Sequence, residues 1–404
     1  MSAPSLTEQF RTSRFWRCLP AGMRRRWWLF RPLDLIARHF PVLRAQKGLL
    51  VIRMDGIGDM VLFRTSLDHY ARVFGVDKKD ITVLGCESWG GLGRQVFDGY
   101  RLIAIDEHAF ARRPFYRFRV SLEVRALAPK TVVVDSYFRR AMMADSLAWV
   151  AGADRTIVSL PYVNEPTRAE FTYYLSQADQ ILATGPYPTH EVSRHYAFLS
   201  EVAGKKIVPE PPVISWKAGP ALVPAGAPYV VLNPGSNEHG RRWPLKAYIA
   251  LGRRLLGEGF RVAVIGTEEE WQADSDFSAF AREAGVIDLI GKTSIAQVLD
   301  LMSRAALVVS NDSGPAHLAI ALSRPSVIIV GGGHFGSFFP YPDGVAPPTA
   351  RFVYQEMDCY HCFWRCHKRA SKWEVFPCID AVSEDQVWQA VQDLLADARA
   401  DTPV

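Results

Sequence analysis

The fold of this chain is decided by residues 305–317, Ala305-Ala306-Leu307-Val308-Val309-Ser310-Asn311-Asp312-Ser313-Gly314-Pro315-Ala316-His317. The apolar, β-branched first half is typical of a strand buried on both faces of a parallel sheet. The second half predicts the start of a helix, because Asp312 or Ser313 can cap it and Gly314 lets a ligand approach the backbone. The first-turn amides form a natural phosphate site, which His317 can reach from about one turn further along. An ordinary capped helix with a buried histidine fits the same residues.

Similar apolar runs alternate with helical stretches in both halves of the chain, which predicts an α/β fold with parallel sheets. In the first half they are residues 48–53, 81–85 and 130–135, and in the second half residues 229–233, 261–266, 307–310 and 326–331. A segment rich in Pro and Gly separates the apolar runs of the first half from those of the second, which indicates a linker between two domains. We predict a basic N-terminal segment over 1–47, an N-terminal domain over 48–205, a linker over 206–228 and a C-terminal domain over 229–404.

Composition places the chain among globular proteins, with 404 residues of which 49% are apolar and 22% charged. No apolar run approaches the ~20 residues of a transmembrane helix. Residues 1–30 are broken by arginines and lack the apolar core of a signal peptide. We therefore expect a cytoplasmic protein.

The basic charge of the chain is concentrated at its N-terminus. Residues 1–47 hold ten Lys or Arg and two acids, whereas the formal charge of the whole chain is only +5. Arginines beside Trp16, Trp27 and Trp28 suit the anionic surface of an inner membrane, so we expect peripheral attachment there. A helix that is solvated or docked on the protein is the plain alternative. No nucleic-acid-binding fold follows the segment, so no nucleic-acid partner is expected.

A carboxylate that could act as a base follows the first predicted strand. The turn reads Arg53-Met54-Asp55-Gly56-Ile57-Gly58-Asp59. Its glycines allow a sharp strand-to-helix turn, which places Asp59 at the helix start, where a carboxylate can accept a proton from a hydroxyl nucleophile. An acid placed there for the helix dipole fits equally well. The turn is neither a G-x-G-x-x-G motif nor a P-loop.

Two loops of the second half carry groups that suit a nucleotide. In Asn233–Pro244, small residues can offer amides and hydroxyls to phosphates, and an arginine can bind them bidentately. An acid just past the strand at 261–266 would suit a ribose hydroxyl, although Glu268, Glu269 and Glu270 are all candidates. The alternative for the first loop is a polar loop that binds no ligand. The alternative for the three glutamates is the solvated acidic start of a helix.

This set of motifs resembles glycosyltransferase family 9, the bacterial heptosyltransferase family of lipopolysaccharide synthesis. The resemblance runs from about Leu49 to the C-terminal helix, and its motifs are Asp55–Asp59, Gly235–Pro244 and Asn311–His317. It implies an α/β, GT-B fold, in which two Rossmann-like domains face each other across a cleft. It also implies an inverting transferase that needs no metal for catalysis and uses a nucleotide-activated sugar, which we expect it to transfer from the nucleotide to a lipid-linked glycan acceptor.

The same resemblance assigns roles by position. Asp59 would be the catalytic base and Arg53 its basic neighbour. The donor-binding residues would be Ser236, Asn237 and Arg241 at the phosphates, Glu270 at the ribose, and Asp312, Ser313, Gly314 and His317 at the sugar and diphosphate. The long basic extension, and the stretch 331–340 together with a cysteine cluster, depart from the well-known heptosyltransferases. The resemblance therefore leaves open whether the donor is ADP-heptose.

Four of the six cysteines cluster near the C-terminus, as Cys359, Cys362, Cys366 and Cys378. Four thiolates are the right number for a tetrahedral zinc site of structural effect. Packed thiols or an oxidation-sensitive set would give the same pattern, because the last cysteine follows alone.

The motifs together predict transfer of a sugar, with a heptose from an ADP-linked donor as first choice, onto a lipopolysaccharide-type or other lipid-linked glycan. A GT-B transferase using a different nucleotide sugar, or a GT-B sugar-nucleotide epimerase, would carry similar motifs. An epimerase would turn over the nucleotide sugar without an acceptor. A catalytically silent binding protein is disfavoured by the presence of Asp59.

Overall fold

The computed structural model describes residues 5–267 and 275–400. The chain divides into two compact units. The first unit holds the chain up to Gly56, Ser66–Pro186 and Glu191–Val208, and the second holds Ile57–Thr65, Tyr187–His190 and the chain from Pro209 onward. The domain limits predicted from the sequence, at 48–205, 206–228 and 229–404, stay predictions.

The first unit is built on a six-stranded sheet in which every neighbouring pair is parallel, in the order β3-β2-β1-β4-β5-β6. Its strands are β1 (Leu49–Arg53), β2 (Ile81–Cys86), β3 (Arg101–Ile105), β4 (Thr131–Val134), β5 (Arg155–Ser159) and β6 (Gln180–Leu182). All five residues of the central strand β1 are buried. Its run of Leu, Val and Ile is what a parallel strand needs, because helices cover both faces of such a sheet.

Helices connect these strands and extend the first unit at its N-terminus. They are α1 (Leu6–Gln9), α2 (Arg14–Cys18), α3 (Arg25–His39), α4 (Ile57–Leu67), α5 (Tyr70–Phe74), α6 (Glu87–Gly90), α7 (Gly93–Val96), α8 (Glu107–Arg112), α9 (Pro114–Ala126), α10 (Ser146–Ala151), α11 (Arg168–Leu175) and α12 (Glu191–Ala203). Most of α4 belongs to the second unit, because residues 57–65 pack there.

The second unit repeats this plan, with a parallel sheet in the order β12-β11-β10-β7-β8-β9. Its strands are β7 (Tyr229–Asn233), β8 (Arg261–Val264), β9 (Val286–Asp288), β10 (Leu307–Asn311), β11 (Ser326–Ile329) and β12 (Ala350–Val353). Its helices are α13 (Leu245–Gly257), α14 (Ser275–Phe280), α15 (Ile295–Met302), α16 (Gly314–Ala321), α17 (Pro377–Asp380) and α18 (Glu384–Ala400).

The strand order of each sheet is the doubly wound Rossmann order. The direction of winding reverses between β1 and β4 in the first sheet, and between β7 and β10 in the second. In such sheets ligands bind beyond the carboxyl ends of the strands at this reversal. The α/β prediction with two Rossmann-like parts is confirmed, and each half carries its own candidate position for a ligand.

The basic N-terminal segment is folded onto the first unit. Helix α3 buries Trp27, Phe30, Asp34 and Ala37, and the Asp34 carboxylate receives two hydrogen bonds, at 2.6 and 2.9 Å, from the buried guanidinium of Arg117 on α9. The docked helix left open by the sequence is therefore present. Among the described residues, no helix is long and apolar enough to cross a bilayer.

Candidate active site

Two asparagine side chains join the strand ends where the second sheet reverses. The Asn233 amide at the end of β7 donates to the Ser310 hydroxyl at 2.8 Å and to the Ser313 hydroxyl at 3.1 Å. The Asn311 amide at the end of β10 donates to the Pro234 carbonyl at 2.6 Å. These buried bonds hold the loop after β7 against the loop after β10, so the two predicted donor-binding loops are brought together.

The loop after β7 offers a polar atom that the protein itself leaves unsatisfied. The Ser236 side chain is buried, and within the described residues its Oγ has no hydrogen-bond partner. Arg242 fixes the backbone here, since its Nη2 donates to the Ser236 carbonyl at 2.9 Å. Asn237 beside it is exposed. A buried hydroxyl without a partner costs free energy, which a phosphate oxygen bound there would relieve.

Arg241 bridges the two loops. Its Nη2 donates to the Asp312 carbonyl at 2.9 Å and to the Asp312 carboxylate at 3.1 Å. Its Nε is buried and has no hydrogen-bond partner in the part of the chain that the structure describes. Burial raises the pKa of Asp312, and the neighbouring Arg241 opposes that rise. The guanidinium is thus held in place through its Nη2, and its Nε–H can still donate to an anion.

The indole ring of Trp364 holds the face of this guanidinium. The Arg241 Cζ atom lies 4.3 Å from the ring centroid. An Arg stacked on an aromatic ring keeps its in-plane donors available while its position is fixed. Nothing near Trp364 in the sequence indicates that this side chain meets Arg241.

Helix α16 begins at Gly314 directly after the Ser313 cap. The Ser313 side chain makes no capping bond to the helix and instead accepts from Asn233. The first-turn amides therefore lack a side-chain acceptor from the cap residue, which suits an anion at this end. The sequence prediction of a strand followed by a helix at Ser313–Gly314 is confirmed.

His317 lies on the buried side of α16. Its ring stacks on Phe339 with centroids 4.1 Å apart, and its Nδ1 lies 2.8 Å from the Tyr341 hydroxyl. Burial lowers the pKa of His317 well below its ordinary value, and the neighbouring His190 and Arg241 add to this effect. The ring is therefore neutral at pH 7. Where the Tyr341 hydroxyl donates to Nδ1, the ring proton sits on Nε2.

The turn that carries Asp59 reaches this same helix end. A Cβ atom on Gly58 would lie 2.7 Å from the Cδ2 of His317, so only glycine allows this approach. A Cβ on Gly314 would lie 3.4 Å from the Cβ of Ile57. Asp59, which directly follows Gly58, is half-buried in the first turn of α4. The structure thus brings the start of α4 against the start of α16, two segments 256 positions apart from Gly58 to Gly314.

Arg53 is placed differently, inside the first unit. Its buried guanidinium contacts the carboxylates of Asp135 at 2.7 Å and Asp55 at 2.9 Å. The Asp135 carboxylate also accepts from the Tyr70 hydroxyl at 3.0 Å and lies 2.9 Å from the Nδ1 of His195. This network, centred where the first sheet reverses, fixes the backbone that leads into the Asp55–Asp59 turn.

The network also determines the protonation of its members. Burial alone would raise the pKa of Asp135, but its contacts with Arg53 and His195 outweigh burial and hold the pKa below its usual range. Burial lowers the pKa of His195 in spite of Asp135. Because the ionised Asp135 carboxylate can only accept, the neighbouring Nδ1 of His195 carries the proton and donates it. Burial raises the pKa of Asp55 against the pull of Arg53. Arg53 therefore carries a charge that two acids already balance.

The cysteine segment packs on a run of three glycines. A Cβ on Gly332 would lie 2.2 Å from the Tyr360 ring, and one on Gly333 would lie 2.1 Å from the Trp364 ring. The Gly332 carbonyl accepts from the His361 amide at 2.7 Å, and its amide donates to the Cys378 sulfur at 3.4 Å. The lone cysteine and the segment 359–366 therefore meet at one glycine.

All four of these cysteines are free thiols. Burial raises the pKa of Cys378 and of Cys362, and the neighbouring thiols raise each value further. Within residues 5–267 and 275–400, no group of three or more His, Cys, Asp or Glu side chains is placed to hold a metal ion. The zinc site stays a prediction.

The predicted donor-binding residues of the second unit that the structure describes lie at the strand ends described above. Glu270, together with Glu268 and Glu269, lies outside the described residues. Sequence reasoning missed Asn233 and Asn311 as site residues, although a polar amide ending a fully buried strand is a signal that could have found them. It missed Tyr341 and Trp364 because their partners are remote in the chain.

The chain is similar in sequence to known glycosyltransferases. The sequence model of glycosyltransferase family 9 (heptosyltransferase) matches residues 173–363, just under half of the chain. Lipopolysaccharide heptosyltransferase 2 of Salmonella typhimurium is 33% identical over 109 residues, which are 26% of this chain and 31% of that protein. The aligned part thus spans about a third of the length of that relative.

Two solved structures share the fold over most of both chains. The glycosyl transferase family 9 protein of Veillonella parvula superposes with a TM-score of 0.69 at 17% identity, covering 88% of this chain and 100% of the other. The ADP-heptose LPS heptosyltransferase II of E. coli gives 0.61 at 19% identity, covering 87% and 99%. The fold is therefore of the GT-B class. The resemblance to glycosyltransferase family 9 predicted from the sequence is confirmed.

The buried, neutral state of His317 predicts a pH dependence of stability. The unfolded chain takes up a proton on this histidine below about pH 6.5, whereas the folded protein resists it, so stability falls as the pH drops from 7 to 5. His317→Phe keeps the ring stack and removes this effect. We expect its free energy of unfolding to fall less than that of the wild type over this range.

The measurement is thermal or urea unfolding at pH 7, 6 and 5 without ligand. His367→Phe, at an exposed histidine of the same unit, is the matched control and should keep the wild-type slope. Equal slopes for His317→Phe and the wild type would show that the ring is not held neutral.

Proposed function

We propose that this protein is an inverting glycosyltransferase that moves a heptose from ADP-heptose onto a lipopolysaccharide-type, lipid-linked glycan. The observation that carries this proposal is the polar site where β7 and β10 end. There Ser236 Oγ and Arg241 Nε are buried and, within the described chain, have no hydrogen-bond partner. Those groups, together with the start of α16, suit a diphosphate.

The relatives supply the choice of sugar and acceptor. The Salmonella protein is by name a lipopolysaccharide heptosyltransferase, and the E. coli structure is that of an ADP-heptose LPS heptosyltransferase. We extend both to this chain because its family match includes the donor loops at 233–243 and 311–317. Such a reaction uses a cytoplasmic nucleotide sugar, so we propose a cytoplasmic location.

The donor diphosphate would be held by complementary groups. Arg241 would give its Nε–H, Ser236 and Asn237 would offer a hydroxyl and an amide, and the first-turn amides of α16 would face the same anion. His317 would act as a neutral hydrogen-bond donor rather than as a cation, because burial keeps it unprotonated. Negative charge that develops on the departing diphosphate is thereby stabilised without reorganisation of water. We propose that catalysis needs no metal ion.

The acceptor would be activated by Asp59. Its carboxylate would take the proton of the acceptor hydroxyl while that oxygen attacks the anomeric carbon and the bond to the diphosphate breaks. The products are the new glycoside and a nucleoside diphosphate. Gly58 supports this role, since it lets the Asp59 turn approach the start of α16. Arg53, whose charge is balanced by Asp55 and Asp135, would position the turn.

A simple assay distinguishes the proposed function from two alternative functions. A GT-B sugar-nucleotide epimerase would convert a nucleotide sugar when no acceptor is present, and a transferase for another sugar would prefer another nucleotide sugar. A panel of nucleotide sugars, screened first by thermal stabilisation and then for product with and without acceptor, separates all three.

The role of Asp59 predicts that its substitution lowers the rate of transfer without lowering the affinity for the donor. Asp59→Asn should lower kcat by about 10²- to 10⁴-fold, because it removes the base but retains shape. Nucleoside diphosphate should bind as tightly as in the wild type, as calorimetry would show. Asp77→Asn removes an exposed acid of the first unit and serves as the control. Near-native turnover of Asp59→Asn would rule out the assignment.

The role of Arg241 predicts a loss of donor affinity. Arg241→Ala removes a charged hydrogen bond and should weaken ADP binding by roughly 10- to 150-fold, measured by calorimetry. Trp364→Ala leaves the arginine but removes its stacking ring, so a smaller loss of about two- to fivefold is expected.

A second stacked pair in the same unit gives the control. Arg254 Cζ lies 4.4 Å from the Trp388 ring centroid, so Arg254→Ala breaks a similar contact outside the proposed site. It should leave ADP affinity unchanged. Unchanged affinity in Arg241→Ala would place the phosphates elsewhere.

We also propose that the cysteine segment holds one structural zinc ion. Gly332 brings Cys378 together with segment 359–366, and three residues there, His361, Phe363 and Trp364, hold left-handed backbone conformations. Such conformations persist only where surrounding contacts impose them. Four thiolates suit zinc, and they also suit iron.

Purified, reduced protein should therefore contain about one metal ion per chain by elemental analysis for zinc and iron. Cys362→Ser with Cys366→Ser should lose the metal and lower the melting temperature. Cys18→Ser, at an exposed cysteine outside the cluster, should change neither. Metal-free protein with wild-type stability would leave these residues as packed thiols, whereas iron would correct the identity of the ion.

A further inference from the structure

Helix α3 has apolar side chains on two opposite faces. One face packs into the first unit, where Asp34 pairs with Arg117 and where the Arg31 guanidinium stacks 3.9 Å from the Trp149 ring centroid. The opposite face carries Trp28, Leu29, Pro32, Leu35 and Ile36, all of them exposed. A surface helix normally turns polar residues outward, so the outer face of α3 needs an explanation.

Exposed apolar residues are concentrated in this part of the protein. Of the thirteen large apolar side chains that are exposed in the described chain, eight lie within residues 1–47. Leu43 is fully exposed, and Leu29, Ile36 and Phe40 each expose more than half of their area. Exposed apolar side chains concentrated in this way indicate an interaction site rather than an ordinary surface.

Helix α9 extends the same surface. It packs along α3, and Arg125 near its end donates to the Phe40 carbonyl at 3.4 Å. Near its start Phe115 is 91% exposed. We define the α3–α9 surface by its exposed apolar residues, which are Trp28, Leu29, Leu35, Ile36, Phe40, Leu43 and Phe115.

The two helices that carry this apolar surface also carry exposed positive charge. Its exposed basic neighbours on and beside the two helices are Arg25, Arg26, Arg44, Arg112, Arg113 and Arg119. The one acid of α3, Asp34, is buried and paired with Arg117. The exposed acid of α9, Glu123, lies 3.7 Å from Arg119. The net charge that the surface presents is therefore strongly positive.

We propose that the α3–α9 surface binds an anionic phospholipid bilayer, lying in the plane of the interface. Apolar side chains set among arginines suit such an interface, because the rings and aliphatic chains enter the headgroup region while the guanidiniums meet lipid phosphates. A second copy of this chain is a poor occupant, since it would bring two arginine-rich surfaces together. The inference goes beyond the proposed reaction and does not depend on it.

The test uses the full chain and vesicles of stated composition. The protein should co-sediment with vesicles of phosphatidylcholine and phosphatidylglycerol at low salt, bind much less to phosphatidylcholine alone, and bind less as salt rises. Leu29→Ser with Ile36→Ser should lower the bound fraction at least tenfold, and Arg25→Glu with Arg26→Glu should do the same. All four side chains are exposed, so the fold is retained.

Matched controls lie away from this surface. Val208→Ser with Trp373→Ser removes two other exposed apolar side chains, and Lys205→Glu with Lys206→Glu reverses two other exposed adjacent cations. Both should bind vesicles like the wild type. Deleting the whole segment is a poor test, because it would leave Arg117 buried without Asp34.

Two results would overturn the proposal. One is full-length protein that ignores anionic vesicles at low salt, and the other is surface variants that bind like the wild type. Sedimentation that shows a dimer converted to monomer by Leu29→Ser with Ile36→Ser, without any vesicle binding, would assign the surface to a second copy. Because neither readout uses donor or turnover, failure here is distinct from failure of the transferase proposal.

Discussion

The second unit depends on two buried amides at the point where its sheet reverses direction. Asn233 and Asn311 end the two central strands, and the side chain of each donates a hydrogen bond to the loop that follows the other strand. A buried amide left unpaired would be costly, so the two loops can adopt few other arrangements. Ser236, Arg241 and the start of α16 all take their positions from this pair of strand ends.

In the first unit, buried charged side chains rather than amides connect the segments at the point where the sheet reverses direction. Arg53, Asp55 and Asp135 form a buried network at the equivalent strand reversal, with Tyr70 and His195 on the same carboxylate. Removing one buried partner would leave another charge without compensation. The network thus makes the backbone before Asp59 rigid, whereas the second unit leaves donors available for an anion.

The glycines at 331–333 link the cysteine segment to the polar site. They let Tyr360 and Trp364 pack on bare backbone, and Trp364 in turn stacks on Arg241. A segment that follows the last strand in sequence therefore sets the position of a side chain that follows β7. Any ion that ordered this segment would act on Arg241 through Trp364.

The sequence by itself determined the strand-to-helix junction at residues 305–317 and the alternation of strands and helices, because periodicity and capping are local properties. It also indicated Arg241, Ser236 and Asp312 through their places after strands. Only the tertiary structure decided that Trp364 meets Arg241, that Asp34 pairs with Arg117, and that Gly58 touches His317. The neutral state of His317 also depends on the tertiary structure, because packing against Phe339 and Tyr341 buries the imidazole ring. These contacts join residues far apart in the chain, and no local pattern encodes which distant side chains folding brings together.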